Sequence, residues 1–248
     1  MTVVDGARIR AIIDRARDAG RSALDEGESL DVLDALAVPT VERVRVAAGE
    51  EAGRAAERLG WPVVLKGLVP GLAHKTERGL VRKGLRDRPS VERAAAEMPG
   101  DAGSLLVERQ IESVREIACG LVRDGTFGPC VMVGFGGVHA EIVDDTTFRV
   151  APLDPRDGLE MLAELRSSAM LGAWRGGEAA DLEAMARILV ALGDLGLAFE
   201  EIREVDVNPL VVGPDGAPVA VDSWISIGGP TSSGSSRTHR SPAARPGG

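Results

Sequence analysis

The chain has 248 residues, enough for one large domain or two small ones. Its hydrophobic content of 44% supports a core, and the 27% of charged residues are interspersed rather than gathered in blocks. A net charge of -9 argues against a general nucleic-acid binder, which needs a basic footprint, but leaves room for a nucleotide held by a few local cations and a metal. No apolar run approaches the roughly 20 residues that span a bilayer. Arg8, Arg10 and Asp14 interrupt any secretory apolar segment at the N-terminus, so a cytoplasmic protein without a membrane partner is expected.

In chain order, Ile9, Ile12, Ile13 and Ala16 recur at helical spacing and predict a helix over 5–24. A second short helix is expected over Leu30–Leu36, stopped by Val38-Pro39. Val41–Val46 reads as a strand, Gly49–Leu59 as an amphipathic helix ended by Gly60, and Val63–Lys66 as a strand with Leu80–Leu85 beside it. Ser90 is the expected N-cap of a helix over Arg93–Met98, and Leu105–Glu108 is a strand leading to a second unit. That unit has strands at Glu116–Val122, Cys130–Val133, Glu141–Val143 and Arg149-Val150, helices at Asp157–Arg166 and Asp181–Leu197, and a hairpin of Val205–Val212 with Val219–Ile225 around Gly213-Pro214-Asp215-Gly216. Cys119 and Cys130 lack CxxC spacing and are expected as buried thiols. The segment from Gly228 onward is breaker-rich, almost without apolar residues, and is expected to be disordered. Two mixed α/β units with a cleft between them follow.

Several residues in this frame suit phosphate chemistry. Lys66 closes an apolar strand, where it either snorkels to solvent or offers a point charge to a phosphate. His74-Lys75 follows Pro70-Gly71 and precedes Gly79; it is either a solvated loop or a nitrogen nucleophile toward phosphorus with a cation beside it. Glu108 and Glu116 are surface carboxylates taken singly, but together at a cleft they could accept hydrogen bonds from a base or sugar. Gly134-Phe135-Gly136-Gly137 is a tight turn or a backbone cradle for phosphate, and His139 after it reads as structural. Strand alternation sets Asp206 and Asn208 on one face, with Asp222 opposite or diagonal to Asn208 across the hairpin. Two or three hard oxygens on one sheet face suit a phosphate-bound Mg²⁺, in preference to a turn-capping role for Asn208.

Taken together, the segments PVVLK at 62–66, HKTERG at 74–79, LLVERQI at 105–111, REIACG at 115–120, FGPCVMVGFGG at 127–137, FRVAPLDPRD at 148–157, EVDVNPL at 204–210 and VAVD at 219–222 carry a family likeness. From about Ala23 to Ile227 the chain resembles the ATP-grasp (beta) subunit of the NDP-forming acyl-CoA synthetases, which include ADP-forming acetate–CoA ligase and, more distantly, succinyl-CoA synthetase. The resemblance implies an α/β (α+β) ATP-grasp fold, two mixed α/β lobes with the nucleotide in the cleft between them. The implied division is an N-terminal helix over 1–22, a small lobe over 23–107, a large lobe with the metal-binding hairpin over 108–227, and a tail over 228–248. It also implies ATP/ADP and Mg²⁺ as ligands. Lys66, Gly79, Glu108, Glu116, Gly136 and Gly137 would contact the nucleotide, and Asn208 and Asp222, with Asp206 as a third candidate, the metal. His74 with Lys75 would carry the phosphoryl group. One departure stands out: Leu80 follows Gly79 where the family usually has a glycine pair.

The family's division of labour implies a separate CoA-binding alpha subunit and a hetero-oligomer. The expected reaction is acyl-CoA + ADP + phosphate ⇌ carboxylate + CoA + ATP, relayed through His74. Two other readings stand beside it: a stand-alone ATP-grasp carboxylate ligase working through an acyl phosphate, and a non-catalytic nucleotide-binding subunit.

Overall fold

The computed structural model describes residues 4–47, 49–69, 78–100, 102–136, 145–173 and 176–228. The expected strand at 141–143 and the tail beyond 228 lie outside the described residues. Helix α1 (Gly6–Asp18) is capped by Asp5, whose side chain accepts from the Arg8 amide at 3.0 Å. It stops short of residue 24 because Gly20 adopts φ +69. Gly20 N then donates to Arg17 O (2.8 Å) and Arg21 N to Ala16 O (2.9 Å), closing the last turn. Helix α2 (Glu26–Ala35) begins upstream of the expected Leu30. The cause is a capping box, in which Glu28 N donates to Asp25 Oδ1 and Asp25 N to Glu28 Oε2, each at 3.0 Å. The apolar stripe marks only the part of this helix that packs in the hydrophobic core, not its capped first turn, where Glu26 and Gly27 are buried as well.

A four-stranded sheet has the order β1 (Arg43–Val46), β4 (Ser104–Arg109), β2 (Val63–Leu68), β3 (Val81–Leu85), every pair antiparallel. Helix α3 (Gly49–Leu59) and α4 (Arg88–Ala96) cover one face. The expected N-cap Ser90 is corrected: Asp87 caps α4, accepting from Ser90 N at 2.8 Å, and Ser90 sits inside the first turn. Pro89 in that turn has no N–H to lose and holds its φ near the helical value, so the helix starts before the serine. Alternation on β2 and β4 sends Val63, Leu65, Leu105 and Val107 into the small core under α3 and α4. The intervening Val64, Lys66 and Glu108 face the other way, into a cleft.

The larger sheet runs β10 (Ser223–Ile227), β8 (Ile202–Val212), β5 (Arg115–Asp124), β6 (Gly128–Phe135), β7 (Thr146–Val150), with β9 (Pro218–Ala220) also on β8. One face carries Ile117, Cys119, Leu121, Val131, Val133, Val205 and Val207, all buried in the main core with α5 (Pro155–Glu164) and α6 (Leu182–Ala198). Each such aliphatic side chain contributes about 2 kcal/mol on burial. The same core takes Ile9, Ile13, Leu30 and Leu33, so α1 and α2 pack with the large sheet. The expected boundary at residue 23 placed α2 in the small lobe; it precedes the small sheet in sequence but buries its apolar face elsewhere. Cys119 is buried and Cys130 partly so, both as free thiols. Among the described residues no helix is long and apolar enough to cross a membrane.

Candidate active site

The two sheets meet at a cleft of about 450 Å³. It is lined by Lys66 and Glu108 from the small sheet, by Glu116 and Asn208 from the large one, and by Asp222 from the β9–β10 link. Five of the residues expected from sequence thus converge on one crevice. A larger, open hollow of about 1130 Å³ around Arg123 and Phe127 contains none of them.

Lys66 is buried and makes three contacts: Glu26 Oε1 at 2.5 Å, Glu108 Oε2 at 2.8 Å and the Val221 carbonyl at 2.6 Å. Snorkelling to solvent is therefore ruled out for this lysine. Burial alone lowers an ammonium's pKa, but Glu26, Glu108 and Asp222 outweigh it and hold Lys66 above its ordinary value, so it is charged. Glu108 moves the other way for a carboxylate. Burial raises its pKa to about 7; Lys66 opposes the rise, and the charges of Glu26 and Asp222 add to it. The two shifts agree on one picture, in which two buried carboxylates share a single cation and one of them is poorly neutralised. Consistent with that, Glu108 Oε1 is buried with no hydrogen-bond partner among the described residues. Such an acceptor costs stability unless a ligand donor meets it.

The hairpin register resolves the choice left open by the sequence. Leu210 pairs with Ala220 and Val207 with Ser223, so Asp222 lies directly opposite Asn208, and Asn208 N reaches Asp222 O at 3.3 Å. Asp206 shares the Asn208 face but pairs with Trp224, a pleat farther from the cleft. The glycine-rich turn comes close: Gly136 N donates to Glu116 O at 2.9 Å, and a Cβ at Gly136 would lie 3.3 Å from Asn208 Oδ1. A methyl here would crowd the carboxamide, whereas hydrogen leaves it room to face a ligand. Asn208 and Asp222 offer hard oxygens suited to Mg²⁺. Among the described residues no three Asp, Glu, His or Cys side chains form a metal cluster, so a cation here would take its other oxygens from phosphate and water.

Gly79 has φ +68 and its carbonyl accepts from Arg82 at 2.6 Å; it adjoins the cleft-lining Val81 without lining the cleft itself. The departure at Leu80 has a packing explanation. Its side chain is fully buried over Gly67, where any Cβ would stand 2.7 Å from it, and Gly67 N donates to its carbonyl at 2.8 Å. His74, Lys75, Gly137 and His139 lie outside the described residues. Two residues of the site, one buried behind Lys66 and one lining the cleft, escape a sequence reading. Glu26 sits in an unremarkable acidic stretch, and its only signal is that a helix starts there. Lys83 is one cation among several on a short exposed strand, yet it lines the cleft.

A buried lysine on one antiparallel sheet, an Asn–Asp pair on a second and a crevice between them define an ATP-grasp architecture. A family model described as an ATP-grasp domain matches residues 15–227. The chain is 34% identical over 226 residues to the acetate–CoA ligase [ADP-forming] I subunit beta of Pyrococcus furiosus, covering 88% of this chain and 97% of that one. It is 31% identical to acetate–CoA ligase [ADP-forming] I of Archaeoglobus fulgidus, covering 91% of this chain but 34% of that protein. Among solved structures, the dinucleotide forming acetyl-coenzyme A synthetase 1 of Ca. Korarchaeum cryptofilum, in complex with coenzyme A, Ca-AMPCP and HgCl+, superposes with a TM-score of 0.84 at 33% identity, covering 88% of this chain and 99% of the matched one. A second structure of that synthetase, with coenzyme A and Mg-AMPPCP and its phosphohistidine segment pointing towards the nucleotide binding site, gives a TM-score of 0.79 at 35% identity, with the same coverage of 88% and 99%. The chain belongs to the ATP-grasp family, among the relatives of the beta subunits of ADP-forming acetate–CoA ligases.

Proposed function

We propose that this protein is the ATP-grasp subunit of an ADP-forming acyl-CoA synthetase, working with a CoA-binding alpha subunit. Its reaction is acyl-CoA + ADP + phosphate ⇌ carboxylate + CoA + ATP. The observation that carries this reading is the convergence of Lys66, Glu108, Glu116, Asn208 and Asp222 on one cleft between the two sheets. Near-complete coverage of a relative named as a beta subunit supports the need for a partner. The departure at Leu80 is accommodated by packing, since its side chain is buried in the fold.

In this reading Lys66 meets the nucleotide phosphates, and the orphan Oε1 of Glu108 accepts from a donor on the nucleotide's base or sugar. Glu116, exposed at the mouth of the cleft, reaches the sugar or phosphates. Asn208 and Asp222 hold Mg²⁺, which supplies charge neutralisation to the phosphates. His74 carries the phosphoryl group between the partner and the nucleotide, with Lys75 offsetting its charge. Phosphoryl transfer asks little covalent chemistry of a protein beyond that nitrogen; positioning and charge do the rest.

The test is a co-purified complex with the alpha subunit, assayed for ATP formation from acyl-CoA, ADP and phosphate. His74→Ala abolishes ATP formation while ADP binding, followed by calorimetry, survives. Equal turnover in mutant and wild-type complexes removes His74 from the relay.

A further inference from the structure

The side-chain nitrogen of a charged lysine has three N–H donors. In Lys66 all three are engaged, by Glu26, Glu108 and Val221 O. The three partners come from three different elements: α2, whose apolar face lies in the main core, the central strand β4 of the small sheet, and the β9–β10 link. Glu26 has a side chain with no exposure at all. It serves no cap, since the capping box of α2 uses Asp25 and Glu28. A phosphate oxygen that enters the cleft can take a hydrogen bond from Lys66 only if one of these acceptors gives way. Glu26 also sets a fixed negative charge against the same ammonium that an anionic ligand must reach, and Glu108 and Asp222 already crowd it.

We propose that Glu26 is a positioning residue that competes with nucleotide phosphate for Lys66, holding the lysine at the junction of the sheets and limiting how tightly the cleft grips phosphate. This rests on the reading of Lys66 as a phosphate ligand. A subunit that must bind ADP and then release ATP gains nothing from tight binding of both, because uniform affinity does not speed turnover. A carboxylate buried behind the lysine lowers phosphate affinity without touching the base or sugar.

Glu26→Gln preserves shape and an acceptor oxygen but removes the charge. Calorimetry on the full chain, with Mg²⁺, compares ADP with adenosine, which lacks the phosphates. ADP is expected to bind on the order of tenfold tighter to E26Q, the scale of one charge-assisted hydrogen bond, with adenosine unchanged. In a Lys66→Met background the same substitution loses its effect, because Glu26 acts through Lys66. Unchanged or weaker ADP binding in E26Q, or an equal gain for adenosine, overturns the inference. If Lys66→Met by itself leaves ADP binding intact, the phosphate role of Lys66 fails and the inference with it. If instead Lys66→Met weakens ADP binding and E26Q does not tighten it, only the role of Glu26 falls. Should E26Q not fold, Glu26→Asp keeps the charge but shortens its reach; it is expected to tighten ADP by a smaller factor, and no gain there refutes the competition.

Discussion

Glu108→Gln tests the electrostatics of the cleft directly. The Glu108 carboxyl titrates at about 7 in the folded protein against an ordinary 4.5, because burial and two neighbouring carboxylates outweigh its ion pair with Lys66. Between those values the folded state holds a proton that the unfolded chain has released. The stability this confers is complete below the unfolded value and is lost as pH rises through about 7. At about 1.4 kcal/mol per pH unit the whole gap amounts to about 3 kcal/mol, of which about 2 kcal/mol falls between pH 5.5 and 8.5. Lys66 adds nothing in that interval, since a raised lysine pKa contributes stability that is lost only above its ordinary 10.5. Urea unfolding of wild type and E108Q at pH 5.5, 7.0 and 8.5 measures the difference, with titrations remote from the cluster common to both proteins. Wild type is expected to lose about 2 kcal/mol relative to E108Q across that range. Parallel profiles would refute the shared-cation picture, because they would mean Glu108 is fully ionised and fully neutralised in the fold.

Arg115→Met removes a clamp in which the guanidinium donates to the Met170 carbonyl at 2.6 Å, Gly172 at 2.5 Å and Glu178 at 2.8 Å. Loss of about 3 kcal/mol in urea unfolding is expected, since three part-buried carbonyls lose a charged donor; a loss below about 1 kcal/mol would make the clamp incidental. Gly136→Ala brings a methyl to 3.3 Å from Asn208 Oδ1. ADP affinity measured with Mg²⁺ should fall several-fold while affinity without the metal stays put, and equal losses in the two conditions would detach Gly136 from the metal pair.

Much of this molecule was legible from residue order. The helix over Gly49–Leu59 ends where Gly60, at φ +83, permits it to. The strand carrying Lys66 stood out because an unbroken aliphatic run leads into one cation. The errors cluster at helix starts: α2 and α4 begin upstream of their apolar stripes because Asp25 and Asp87 cap them, and capping is a matter of backbone donors rather than of hydrophobic period. The candidate site divides in the same way. Lys66 was recognisable because it closes an apolar strand, Asn208 and Asp222 because apolar residues flank them, and Glu108 and Glu116 through the family likeness of their segments. Glu26 was not, because nothing local distinguishes a carboxylate in the first turn of a helix from one that neutralises a lysine forty residues away.

Sequence alone determined which residues alternate toward a shared face, since the pleat of a strand is a local property with a period of two. It also pointed to a kind of ligand, because a lysine closing an apolar strand, with Asn and Asp on a hairpin, is a donor set suited to phosphate and a hard cation. Tertiary structure decided what those groups do to one another. The register that sets Asp222 opposite Asn208, the packing of α2 against the large sheet, and the meeting of Glu26, Lys66 and Glu108 out of water all depend on contacts between segments far apart in the chain. Charge interactions at 2.5 to 2.8 Å in a buried cluster respond to distance and dielectric, and neither is encoded in any one segment.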